Sequence, residues 1–274
     1  MRVDRSVRVL RPNSLSPIVL TCEHASRALP RGMTPRGRAE RAVLVSHWGW
    51  DIGAWDLTRA LSRRLQAAAV GGGWSRLVVD LNRRIGDPTL IRPEAEGVVL
   101  SWNARVTPAE IERRALAFHV PYHAAINLMV IRRIARGVRP VLFAVHSFTP
   151  LYDGRHRDFD VGVLFDRCRS GAIRLAEGLK KSGLRVRYNE PYSGLAGMMY
   201  AIHRHGTHHG LPCLELEVNQ DLLAGRGAGH GRKGPRGGIE QIAAAVAGAL
   251  EPLVAAAAAA RSVVGPASTS RRRR

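Results

Sequence analysis

Solid apolar runs, rather than alternating ones, mark the strands of this chain. Ile18-Val19-Leu20-Thr21-Cys22, Val141-Leu142-Phe143-Ala144-Val145 and the run from Leu211 to Leu216 have few polar breaks, the pattern of strands covered on both faces. Leu77-Val78-Val79 reads as another buried strand, and 161–165 and 184–188 as two more. Elsewhere the period is helical: Ile52, Leu57, Ala60, Leu61 and Leu65 recur at that spacing, with Gly71-Gly72-Gly73 as the stop. Thr107-Pro108-Ala109-Glu110 is a helix start, with Thr as N-cap, Pro in the first helical position and Glu in the third. That helix runs to Gly137 with a break at Pro121. Further helices are expected over 170–181 and, rich in alanine, over 238–260. A mixed segment is expected over 191–210, and Pro30, Gly32, Pro35 and Gly37 mark a long loop. Alternation of this kind predicts an α/β fold, a three-layer α/β/α arrangement around a mostly parallel mixed sheet.

The chain has 274 residues, 45% of them hydrophobic and 5% aromatic, enough to bury one sizeable core packed mainly by aliphatic side chains. No Ser/Gly/Pro-rich linker interrupts its middle. One domain is therefore expected over 17–264, between a basic lead-in at 1–16 and a flexible Arg-rich tail at 265–274.

A formal charge of +20 raises nucleic acid or an anionic surface as a partner. The 42 basic residues include only three lysines, Lys180, Lys181 and Lys233, and the arginines are scattered, often as surface pairs such as Arg63-Arg64 and Arg113-Arg114. That is a bias in amino-acid usage more simply than a nucleic-acid footprint, and Arg271 to Arg274 read as a solvated tail. Cys22, Cys168 and Cys213 are too few for a disulfide framework, and no Cys-x-x-Cys pair offers a structural zinc site. The start lacks the apolar core of a signal peptide, and no uninterrupted apolar run approaches a membrane span. A reduced, cytoplasmic, membrane-free protein is the expectation.

The chemistry lies where the strands end. The first runs into Glu23-His24, the second into His146, the third into Glu217, and in an open α/β sheet ligands collect beyond the carboxyl ends of the strands. A catalytic zinc commonly takes three protein ligands from His, Asp or Glu and keeps one position open. His24 and His146 are the strongest candidates. Asp51 is the better third ligand, because Glu23 adjoins His24 and would point the opposite way if the strand continued; Glu23 remains the substitute. Alternation in Leu214-Glu215-Leu216-Glu217 puts both glutamates on one face, and Glu217 can serve as general acid and base. Asn82-Arg83, just after a strand, is a natural carboxylate clamp, whereas Arg84 reads as surface. The histidines at 203, 205, 208 and 209 read as a loop at the site's rim, and the 225–238 segment as a flexible basic loop.

Taken together, Glu23-His24-Ala25-Ser26, Asp51, Ser75-Arg76 leading to Asp80-Leu81-Asn82-Arg83, His146-Ser147, the Asn189 to Gly194 segment and Leu214-Glu215-Leu216-Glu217 resemble the N-formylglutamate amidohydrolase family over roughly 17–223. The resemblance implies a distant zinc-carboxypeptidase and aspartoacylase relative, with a phosphorylase/hydrolase-like, zinc-peptidase-like fold. It implies one Zn2+, or another divalent ion, on His24, Asp51 and His146, Glu217 as base, and Asn82 and Arg83 as clamp. Tyr192 and His205 are further substrate-binding candidates. The departures are Glu23, where the histidine-degradation enzymes have proline, and Leu211-Pro212-Cys213, where they carry a histidine nearby. They place the chain in a sister branch. The expected activity is hydrolysis of a small-molecule N-acyl acidic amino acid, N-formyl-L-glutamate first. Another N-acyl-amino-acid hydrolase or a carboxypeptidase-like peptidase is the alternative, and a polyanion-binding protein on a degenerate hydrolase fold the second.

Overall fold

Ile18 and Leu20 pack into the apolar cluster on one side of a central sheet and Val19 into the cluster on the other, which is why the first strand reads as unbroken apolar sequence. The computed structural model describes residues 6–224 and 238–259. In chain order the first elements are β1 (Val7–Leu10), β2 (Ile18–Cys22), α1 (Gly37–Val45), α2 (Ala54–Arg64), β3 (Ala68–Gly72), β4 (Glu94–Ala95), β5 (Val98–Val99), α3 (Pro108–Arg114) and α4 (Val120–Ile134). There follow β6 (Val141–Phe148), β7 (Leu151–Tyr152), β8 (Arg155–His156), β9 (Val161–Leu164), α5 (Arg169–Lys181), β10 (Val186–Tyr188), α6 (Tyr200–His209), β11 (Cys213–Asn219), α7 (Gln220–Leu223) and α8 (Ile239–Ala259).

Seven strands form one mixed sheet in the order β1-β3-β2-β6-β11-β9-β10. β3, β2, β6 and β11 run parallel, while β1 pairs antiparallel with β3 and β9 antiparallel with β11. Helices α2, α5 and α8 cover one face through Leu57, Leu61, Leu175, Ile242 and Leu250. α4 and α6 cover the other through Ile126, Val130 and Ile202. This is the expected three-layer α/β/α arrangement.

Several local expectations are corrected. The strand lies at Ala68–Gly72, not at Leu77–Val79. Leu77 is buried in a small separate cluster with Val43 and Leu100, and Val79 packs under α4, so both are apolar without joining the sheet. Alanine and glycine are poor strand formers, and they stand here because neighbours come close. A Cβ on Gly71 would lie 2.5 Å from the Trp55 ring, and one on Gly72 2.2 Å from the Glu23 carbonyl oxygen. Gly72→Ala is expected to cost about 2–3 kcal/mol, since backbone rather than a flexible side chain must move; denaturant unfolding measures it, and a loss of a few tenths would contradict the contact.

The lead-in carries an edge strand, β1, and the Pro/Gly-rich segment leads into helix α1. Glu40 of α1 is buried and accepts from the amides of Arg36 and Ser101 and from the Ser101 hydroxyl. The α3 start is as expected, with the Thr107 side chain accepting from the Glu110 amide. The break near Pro121 is a π-helical turn at Ala115–His119 between α3 and α4, consistent with a proline that has no N–H to give. Residues Ile239–Ala257 of α8 have a mean hydropathy of 1.4 and match a membrane span by length and composition, although Glu240, Gln241 and Glu251 interrupt the apolar run. Its Ile242, Val246 and Leu250 pack in the core against the sheet, which accounts for the apolar sequence. The Arg271 to Arg274 tail, most of the 225–238 loop and the first five residues lie outside the described residues.

Candidate active site

The carboxyl ends of β2, β6 and β11 adjoin in the sheet, and their polar residues meet there. His24 follows β2, and its backbone carbonyl accepts the Asp51 amide at 3.0 Å, which ties the 46–53 turn to the strand end. Asp51 does not cap α2. The N-cap is Gly53 in the left-handed region, φ 80°, against the Leu223 side chain. This leaves the Asp51 carboxylate free to turn inward, where Oδ2 lies 3.3 Å from His24 Nδ1 and 2.7 Å from His146 Nδ1. Ligand atoms of His24, Asp51 and His146 fall within 4.8 Å of one another, and all three residues are buried.

Both histidines turn Nδ1 inward and rest Nε2 on a second carboxylate. His24 Nε2 is 2.8 Å from Asp80 Oδ1 and His146 Nε2 is 2.8 Å from Glu23 Oε2. That arrangement fixes ring orientation in histidine metal sites. Asp80 is held by Arg76, at 3.1 Å from Nε and 2.7 Å from Nη2, and by the Asn82 amide at 2.9 Å. Glu23 accepts the Tyr122 hydroxyl at 2.7 Å. Glu23 thus sits on the far nitrogen of His146 and not among the three inward atoms.

Glu215 and Glu217 project from one face of β11, as alternation requires, and Glu217 is in register with His146 of β6. Both line a pocket of about 170 Å³ with His24, Asp51 and His146. Glu215 Oε2 is 3.8 Å from His146 Nε2, and Oε2 of both Glu215 and Glu217 is buried with no hydrogen-bond partner among the described residues. Burial pushes the Glu217 carboxyl well above the usual carboxylate range, with Asp51 and Glu215 adding to it against His146. Glu215 is pushed up to about 7, again mainly by burial. Burial disfavours charge on His146, but Glu215, Asp51 and Glu23 outweigh it and hold the imidazole's proton well above its ordinary pKa. Asp51 is held low despite burial, by His24 and then His146. Five buried carboxylates, Glu23, Asp51, Asp80, Glu215 and Glu217, thus surround two histidines and one arginine, Arg76. A divalent cation at the three inward donor atoms fits this excess of buried negative charge.

The model of the N-formylglutamate amidohydrolase family matches residues 16–224. The chain belongs to this family. It is accordingly an amidohydrolase, acting on linear amide carbon–nitrogen bonds. A gene product of Agrobacterium tumefaciens of solved structure superposes with a TM-score of 0.77 at 31% identity, covering 94% of this chain and 96% of its own. The N-formylglutamate amidohydrolase from Ralstonia eutropha JMP134 superposes with a TM-score of 0.67 at 20% identity, over 95% of this chain and 100% of its own, a likeness of fold. Curated proteins offer no match to the sequence.

The amidohydrolase pocket also contains Arg76, Asn82, Arg83, Arg92 and Tyr192. Arg83 is half-buried, with Nε on Thr89 Oγ1 at 3.1 Å and Nη1 on the Asn82 carbonyl at 2.9 Å, while Arg84 is exposed. Asn82 lines the pocket and also has a structural task. Its Nδ2 donates to the Met198 carbonyl at 3.1 Å and its Oδ1 accepts from the Ala201 amide at 2.9 Å, so the amide group fastens the start of α6. The histidine tract is helical, not a rim loop. His205 is buried outside the pocket, with Nε2 3.0 Å from His123 Nδ1, and His123 Nε2 in turn meets the Leu81 carbonyl at 3.1 Å. Arg76, Asp80, Glu23 as a brace, Tyr122 and Arg92 are the contributors that residue-by-residue reading did not assign to the site. The acid–base spacing of Arg76 and Asp80, four apart, was the available signal.

Proposed function

We propose that this amidohydrolase cleaves the amide of an N-acylated acidic amino acid, N-formyl-L-glutamate first, with one zinc or another divalent ion on His24, Asp51 and His146. The observation that carries the reading is the pair of histidines whose Nδ1 atoms converge with Asp51 while carboxylates brace their Nε2 atoms, beside an unpartnered Glu217. When bound, such an ion supplies a Lewis acid for the acyl carbonyl and acidifies water at neutral pH.

The chain's own residues do the rest. Glu217 takes a proton from the attacking water and passes it to the departing amine as the carbon–nitrogen bond breaks, releasing the acid and the free amino acid. Tyr192 lines the same pocket, and burial together with the Glu217 charge raises its phenol pKa, so it acts as a neutral donor. Arg83 grips the α-carboxylate, which sets the amide's reach toward the three donor atoms.

Elemental analysis of purified protein, followed by product release from a panel of formyl, acetyl and peptide amides, tests the reading. Formate from N-formyl-L-glutamate at the highest kcat/KM supports it, and preference for peptides overturns it. Within that panel Arg83→Ala is expected to lower kcat/KM by roughly thirtyfold or more on substrates with an α-carboxylate. An amide substrate without that carboxylate should scarcely respond, and equal losses on both would remove Arg83 from the site.

A further inference from the structure

Three arginines line one pocket, and only one of them is neutralised. Arg76 pairs with Asp80 through two nitrogens and lies 3.8 Å from Asp51 Oδ1. Arg83 bonds only to a hydroxyl and a carbonyl. Arg92 pairs with no carboxylate within 4 Å among the described residues; its guanidinium lies over the Trp48 ring, 5.8 Å from the centroid. Its place is nevertheless fixed. The Arg92 carbonyl accepts Asn103 Nδ2 at 2.7 Å, the same amide donates to the Leu77 carbonyl at 2.7 Å, and Asn103 Oδ1 accepts from buried Arg114 at 2.6 Å.

Neither Arg83 nor Arg92 has a carboxylate within 4 Å among the described residues, although Asp51, Glu215 and Glu217 line the same pocket, so each guanidinium can pair with an anion of a ligand. Burial, then the fields of Arg76 and Arg83, weaken the hold of Arg92 on its proton. A ligand with two negative groups would supply one partner for each of these guanidiniums, and the Trp48 ring lies beside that of Arg92.

We propose that Arg92 selects the substrate's side chain, taking the distal carboxylate of an acidic N-acyl amino acid while Arg83 holds the α-carboxylate; this rests on the amidohydrolase reading above. The order follows from where each arginine is anchored. Arg83 follows three residues after Asp80, whose carboxylate touches His24, so we assign to it the α-carboxylate, the anion next to the scissile amide. Arg92 comes from the loop before β4 and stacks on Trp48. The distal carboxylate, further from the amide, is the group left to it.

The experiment compares N-formyl-L-glutamate with N-formyl-L-glutamine on the metal-loaded protein. Calorimetric binding of L-glutamate and L-glutamine provides a readout independent of turnover. Arg92→Gln is expected to lose roughly ten- to a hundredfold in kcat/KM and in affinity for the glutamate pair, with the loss for the glutamine pair within about threefold. Arg92→Lys should restore part of the preference, because the charge remains and the bidentate fork does not. Arg83→Ala should weaken both pairs alike. If the parent prefers glutamate and Arg92→Gln prefers it equally, or loses equally on both, the assignment of Arg92 is overturned while the reading of the reaction stands. If the parent shows no preference for an acidic side chain, the acidic-substrate reading falls and takes the assignment with it.

Discussion

Replacing Glu217 by Gln is expected to lower kcat by roughly 10²- to 10⁴-fold, the range a general acid–base residue contributes, with the metal content unchanged. The amide keeps the shape and register of the side chain on β11 beside His146, so the site is assembled, but it cannot take a proton from water. Glu217 is the group for this role because it lines the pocket in register with His146, nearer the end of β11, and among the described residues no ion-pair contact such as that of Glu215 with His146 engages it. Burial also raises its pKa, which makes the carboxylate a stronger base than one in water. Glu215 shares the face but lies against the Nε2 side of His146, at 3.8 Å, one pleat further from the strand end. Glu215→Gln should therefore cost much less. Turnover of Glu217→Gln within a few-fold of the parent, with one metal bound per chain, would exclude Glu217 as base, and a larger loss in Glu215→Gln would move the role there.

The sheet and the convergence of His24, His146, Asp51 and Glu217 were legible because strand ends in an α/β sheet share one edge, so a residue's position along its strand is nearly its position in the site. The strand at Ala68–Gly72 was not legible. Its residues were chosen by the approach of Trp55 and the Glu23 carbonyl rather than by strand propensity, so they carry no apolar signal, while Leu77 and Val79 carry one for a different core. Side-chain commitments were also hidden. Asn82 next to Arg83 looks like half of a clamp and lines the pocket, yet its amide also ties Met198 and Ala201, more than a hundred residues away in sequence. His205 belonged to a histidine-rich stretch that pattern alone could not orient, and burial against His123 places it in the interior between α4 and α6. Glu23 was left open as a ligand on sequence; β2 ends at Cys22, and from the turn that follows Glu23 places its carboxylate behind His146, on Nε2, instead of in the cluster.

Asp51→Ala should abolish metal retention and, with it, activity. Among the described residues Asp51 is the one whose single oxygen, Oδ2, touches both inward histidine nitrogens, so its loss would remove the anionic member of the proposed ligand trio and the group that aligns the two rings. A Lewis acid held on the proposed trio would contribute several kcal/mol of transition-state stabilisation, equivalent to about 10³-fold or more in rate. Asp80→Asn provides the graded comparison. It leaves all three donors in place and weakens only the brace on His24 Nε2 and the partner of Arg76, and substitutions behind a ligand typically cost 10- to 100-fold in metal affinity or activity. The expected order of metal affinity is then parent, Asp80→Asn, Asp51→Ala, read by chelator competition with elemental analysis, and thermal unfolding of each variant shows that the fold persists. Asp51→Ala that still carries one ion per chain at the parent's affinity would place the metal elsewhere. Equal losses from Asp51→Ala and Asp80→Asn would mean that Asp80 ligates rather than braces, and the inward orientation of His24 Nδ1 would have to be abandoned with it.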